Sequence, residues 1–273
     1  MHETKFLNSG DIKIAAYCYA TIPQPVSYFY EEAALVYTST GVVSLTSAGK
    51  NLRLLAGQCA IIRQYAEVEM QKELAAGKQD IETLFFSLPR TFLKKALPKL
   101  QLPSYRTSGE LELLKIAPSA IVSDHFRSIK SYIAAAEDIE EEVVAYKITS
   151  LLEIIAAQNQ RLTSILGPPL LANDQLTIFM EANFRRKVTI STLAQEFGTS
   201  LSSFNREFKR IFGSTPQRWI TKRRLNEARV LLESTAQRPS QVYLQVGFQD
   251  LAHFSRAFKK QFGRSPSQLD HHH

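Results

Sequence analysis

The sequence predicts an α+β protein: a small antiparallel β-barrel or sandwich with attached helices, followed by an all-α domain. Three observations carry this. Residues 12–88 are runs of Val, Ile, Leu, Tyr and Phe broken by turn residues. From 174 onward, apolar residues recur at helical spacing. Within that stretch one pattern occurs twice, as "GTSLSSFNREFKRIFGSTP" (198–216) and "GFQDLAHFSRAFKKQFGRSP" (247–266).

A chain of 273 residues suggests two domains at about 100–200 residues each. The 44 % apolar content is enough to build packed cores. No apolar run approaches the roughly 20 residues of a membrane helix. The start, "MHETKFLNSGDIK", lacks the layout of a signal peptide, so a cytoplasmic protein is expected. Cys18 and Cys59 each stand alone in an apolar stretch, as buried free thiols of a reducing compartment do. Residues 269–273 read as a tag remnant, and His271, His272 and His273 are set aside from any metal argument.

In chain order, "IKIAAYCYA", "ALVYTSTGVVSLTSAGKNLRLLAGQCAIIRQYA" and "IETLFFSL" supply the strands, with "TG", "AGKN" and "AGQ" as turns. Pro89 opens a short helix, and 119–137 and 139–159 are two longer ones. In the last, Val143, Tyr146, Ile148, Leu151, Leu152 and Ile155 fall near a 3.6 period. That stripe either forms a dimer seam or packs on the barrel. "GPPLLAND" stops one helix and caps the next at Asp174. The expected division is therefore 1–166 (barrel 12–88, helices 89–160), a linker at 167–173 and a helical domain at 174–268.

In the helical domain, Thr189 or Ser191 caps "TISTLAQEFG" and Gly198 stops it. The first echoing helix runs from Ser200 to Gly213, and Pro216 opens "QRWITKRRLNEARVLLEST". Leu201, Phe204, Phe208, Ile211 and Phe212 form an apolar stripe on one copy, and Leu251, Phe254, Phe258 and Phe262 on the other. The opposite faces carry small polar residues and Arg. A short helix, a Gly-containing turn and a second helix with such a face is the helix-turn-helix plan, whose second helix fits the major groove of DNA. The connecting helix, about 18 residues or roughly 27 Å, can hold two reading helices near the ~34 Å separation of successive groove faces. Charge agrees: residues 174–267 hold 16 Lys and Arg against 7 Asp and Glu, a net of +9 in a chain whose total is +7.

"LAQEFGTSLSSFNREFKRIFGSTPQRWITKRRLNEARVLL" and "VGFQDLAHFSRAFKKQFGRSPSQL" resemble the DNA-binding domain of AraC/XylS-type transcription regulators. The resemblance covers about 95 residues, and Arg224, Leu225 and Ala228 fit its connecting helix. It implies base contacts from Ser202, Ser203, Asn205 and Arg206, then from Ala252, His253, Ser255 and Arg256; for His253, solvated surface stays an equal reading. Lys209, Arg210, Lys259 and Lys260 are expected on phosphates, setting affinity and salt dependence. The partner implied is double-stranded promoter DNA, with RNA polymerase contacted in activation. The second unit departs from the family pattern at Tyr243, where a smaller residue is usual, and at Pro239. Extra volume at Tyr243 is expected to tilt that unit.

The same resemblance, more weakly, implies a cupin-like N-terminal barrel for sensing a small-molecule effector or a regulatory protein, and for homodimerisation. The barrel either holds that effector or is filled by its own Tyr and Phe. Catalytic cupins converge several His or carboxylates on a metal, and the barrel segment contains no His. No cofactor, metal site or enzymatic frame is expected. The alternative is a ligand- or partner-binding module with vestigial DNA binding, which salt dependence separates from a DNA reader.

Overall fold

The computed structural model describes residues 2–9, 12–19, 25–77, 80–96, 111–135, 141–166, 174–235 and 237–268. The chain divides into two compact units, Met1–Pro25 with Tyr30–Leu171, and Val26–Phe29 with Ala172–His273. The expected linker 167–173 and the tag remnant 269–273 lie outside the described residues.

The strands are β1 His2–Ser9, β2 Ile12–Tyr19, β3 Val26–Phe29, β4 Ala33–Thr40, β5 Val42–Ser47, β6 Lys50–Leu55, β7 Cys59–Ile62, β8 Glu67–Glu73, β9 Ile81–Leu88 and β10 Leu113–Ile116. In the first unit, one antiparallel sheet runs β1-β2-β9-β4-β7-β10. In a second, β5 pairs antiparallel with β6 and β8. Register aligns Ile14, Phe86, Leu35, Ile61 and Leu114 in one row across the first sheet. Because strand side chains alternate, that row marks one face. Helices α1 Arg90–Ala96, α2 Ala120–Ala135, α3 Glu141–Gln158 and α4 Leu162–Leu166 cover it, burying Phe92, Phe126, Ile148, Leu151, Leu152 and Ile155 in a common cluster. The alternate residues Val36, Thr38, Ala60 and Thr83 are buried on the opposite face, as are Val43, Leu45, Leu54 and Val68 of the second sheet. Strands β1 and β10 extend the sheet beyond the expected span 12–88.

The stripe of α3 is spent on this packing. Val144, rather than Val143, is buried in it, while Tyr146 is 74 % exposed. Tyr146 lies about 200° around the helix from Val144 at ~100° per residue, so it cannot share the face. Cys59 is buried, which pushes its thiol up to about 12. Cys18 is only half-buried, contrary to expectation; it stands one residue from the end of β2, opposite Glu82.

The second unit contains α5 Asp174–Asn183, α6 Ile190–Glu196, α7 Leu201–Phe212, α8 Pro216–Ser234, α9 Pro239–Gln245 and α10 Leu251–Phe262. Thr189 caps α6 by accepting from the Thr192 N–H, and Thr215 caps α8 with Pro216 at its first position. Proline costs nothing there, because that N–H has no helical partner. Trp219, at the start of α8, packs with Phe184, Phe208 and Phe212. Leu225, Ala228 and Leu232 of the same helix join Val242, Val246, Phe248, Phe254, Phe258 and Phe262. One helix thus belongs to two successive cores, which fixes the units on either side of it.

Candidate nucleic-acid interface

Helices α7 and α10 are built alike. Each has twelve residues. Ser200 accepts from the Ser203 N–H at the start of α7, and Asp250 accepts from the His253 N–H at the start of α10. Gly213 and Gly263 end them in the left-handed conformation, with φ of 66° and 73°. These caps satisfy orphan groups at both ends of a helix too short to stand alone.

The outward faces hold the expected contact residues. Ser202, Asn205, Arg206, Ala252, His253 and Arg256 are exposed. Ser203 and Ser255 are half-buried, and Ser203 Oγ accepts from the capping Ser200 hydroxyl at 3.0 Å. Lys209, Lys259 and Lys260 are exposed too. Arg210 is exposed but forms a two-point ion pair with Glu207, Nε to Oε2 at 2.9 Å. That pair holds the Glu207 carboxyl below its usual range, the Arg210 hydrogen bond being the main cause. Leu201 and Leu251, expected in the buried stripes, are instead 44 % and 38 % exposed. Each is the first residue of its helix, and the first turn overhangs the core.

The units are joined through Arg224 of α8. Its guanidinium donates to three backbone carbonyls: Phe184 at 2.6 Å, Arg186 at 2.7 Å and Gly247 at 2.9 Å. Burial lowers its pKa from the usual arginine value. The first two carbonyls lie on the approach to α6, and the third is the turn between α9 and α10. Arg185 and Glu227 add a two-point ion pair between α5's end and α8, and Arg223 pairs with Glu181 at 3.0 Å. Arg185 and Arg223 also lie against the Phe184 ring, 4.7 and 4.5 Å from its centre.

Beside this joint lies a cleft of about 530 Å³ whose lining includes Lys187, Thr192, Gln217, Thr221, Gln249 and His253. Apart from His253, sequence reading missed these residues. They come from separate segments with no shared period, and only folding gathers them. Tyr243 is half-buried at the edge of the second core, its ring 6.4 Å from Phe254. Pro239 is the first residue of α9, a compatible place. Among the described residues, no group of three or more His, Cys, Asp or Glu is placed to hold a metal, and no helix is long and apolar enough to cross a membrane.

Two capped reading helices on one shared connecting helix, with a basic outward face, define a double helix-turn-helix DNA-binding domain. Residues 193–272 match a family model described as a helix-turn-helix domain. Across most of its length the chain is similar to the thermoregulatory protein LcrF of Yersinia pestis, 26 % identical over 84 % of this chain and 85 % of that one. It is also similar to the virulence regulon transcriptional activator VirF of Yersinia enterocolitica, 27 % identical over 70 % and 73 %. In fold it is similar to an unsaturated-fatty-acid-bound ToxT of Vibrio cholerae, with a TM-score of 0.68 at 14 % identity over 98 % and 95 % of the two chains. The protein is a DNA-binding transcription regulator, similar to these activators.

Proposed function

We propose that the protein reads two adjacent major-groove segments of promoter DNA, with α7 in one and α10 in the next, and activates transcription by contacting RNA polymerase. The observation that carries this is the matched pair of capped helices held by α8 and Arg224. Ser202, Ser203, Asn205 and Arg206 contact bases in one segment, and Ala252, His253, Ser255 and Arg256 in the other. Arg pairs with guanine O6/N7 and Asn with adenine N6/N7 in two-point fashion. Lys209, Arg210, Lys259 and Lys260 sit on phosphates, and the strand crossing between the segments passes the cleft at Lys187, Gln217 and Gln249. Arg206→Ala is expected to cost about 1–3 kcal/mol on the preferred duplex and to relax choice at one base pair. Lys209→Ala is expected to weaken all sequences alike. Unchanged sequence preference in Arg206→Ala contradicts the groove-facing assignment.

The same reading makes the protein cytoplasmic and non-enzymatic, with a sensing domain at 1–166, a linker at 167–173 and the reader at 174–268. An effector in the barrel would find the polar groups of Lys72, Thr83 and Thr38 among apolar side chains. Lys72 Nζ donates to Thr83 Oγ1 at 3.1 Å and lies 5.3 Å from the centre of the Tyr17 ring. Thr38 Oγ1 is buried without a hydrogen-bond partner. An apolar acid, the class of ligand that ToxT structure holds, suits such walls. Dimerisation would use the outward side of α3 around Tyr146.

A further inference from the structure

Aligning α7 with α10 leaves six positions where the two copies carry the same residue. Phe204 and Phe254, Phe208 and Phe258, and Phe212 and Phe262 are buried, and packing accounts for them. The other three matched positions are exposed: Leu201 and Leu251, Arg206 and Arg256, Lys209 and Lys259. Arg and Lys have a place in the reading already given. The leucines do not. They stand 44 % and 38 % exposed beside polar neighbours, so they leave apolar surface in water that a polar residue would not.

Their position says what covers that surface. Each leucine is the first residue of its helix, and a recognition helix meets base edges with its N-terminal residues. At i and i+4, Leu201 is one turn before Asn205, and Leu251 one turn before Ser255, so each stands at the margin between the buried stripe and the reading face. The apolar feature of the major groove is the C5-methyl group of thymine. We infer that Leu201 and Leu251 each contact a thymine methyl, so that each unit selects a thymine beside the base pair read by its polar residues. This rests on the groove-reading assignment above, and it adds an apolar component that the polar residues cannot supply.

The probe is a duplex selected by the full-length protein from a random pool, with each thymine then replaced singly by uracil. That change deletes one methyl group and leaves base pairing intact. The wild type is expected to bind about fourfold more weakly for uracil at one position in each segment, the worth of one buried methyl. Leu201→Ala is expected to abolish that sensitivity in the first segment alone, and Leu251→Ala in the second alone. Arg206→Ala should keep both. A leucine that only supports the helix would, when truncated, lower affinity for thymine and uracil duplexes alike, and that outcome overturns the inference. Uracil insensitivity throughout the wild-type scan overturns it too. Failure of the pool to yield any preferred duplex counts instead against the groove-reading assignment itself.

Discussion

The two helix-turn-helix units share a frame and differ at their surfaces. Both second helices have twelve residues, a side-chain cap, a left-handed glycine stop and three matched buried phenylalanines. On α7, however, Glu207 pairs with Arg210, whereas the equivalent positions on α10 are Ala257 and Lys260. The turns differ as well. Gly198 has φ of +80° with open space around it. Gly247 has φ of +96°, and a Cβ there would overlap the Arg185 carbonyl oxygen and come within 3.0 Å of Arg224 Cζ. The frame is thus set by the three shared phenylalanines and by capping, which Ser200 and Asp250 both supply, while charge and turn crowding vary with what each unit must touch. In the first unit the turn is free; in the second it is part of the joint.

The largest effect is expected at that joint. Arg224→Ala leaves three carbonyls without a donor, at about 1–3 kcal/mol for each that stays buried. Urea unfolding of the helical domain should lose about 3 kcal/mol or more, and both recognition helices should lose DNA binding together. Survival of one unit's sequence preference would break the claim that Arg224 couples them. Next come the turns. Gly198→Ala should cost about 1–2 kcal/mol, the ordinary left-handed penalty. Gly247→Ala should cost clearly more, because overlap adds to it. Equal losses in a melting comparison would erase the difference between the turns. Smaller still, Lys260→Ala should reduce the salt slope of DNA binding by about 0.9, the value of one phosphate contact. Arg210→Ala should reduce it less, because Glu207 already offsets much of the Arg210 charge.

A separate contrast sets these exposed cations against buried Lys72 in the N-terminal unit. Burial lowers its pKa from 10.5 to about 7. Between those values the unfolded chain binds the extra proton, so stability rises with pH across this window. Below pH 7 both states are charged and the cost of burial is complete. Lys72→Met should therefore raise the melting temperature most at pH 6, with the gain shrinking as pH approaches 10. A gain independent of pH would contradict the assignment.

Much of the second unit was legible because its signals are local: Gly198, Ser200, Gly213 and Pro216 declare helix ends before any tertiary contact forms. Strand β10 was not legible. "LLKI" is a strand only because Leu114 pairs with Ile61 across the sheet, a partner about fifty residues away. Helical period alone placed Leu201 and Leu251 in the core, since it reports which face a residue is on and not whether the core reaches that turn. Val144 replaced Val143 in the stripe of α3 for a related reason: the sheet decides which flank of a wide stripe is covered. The cleft and the Arg224 joint gather residues from separate helices and turns, and no single stretch announces them.

The central claim is that one chain reads two groove segments at a fixed spacing, and selection from a random duplex pool tests it most directly. The account predicts two short motifs with centres about 10–10.5 base pairs apart, and loss of binding when about 5 base pairs are inserted between them. A single enriched motif, or two motifs that tolerate the insertion, would contradict it.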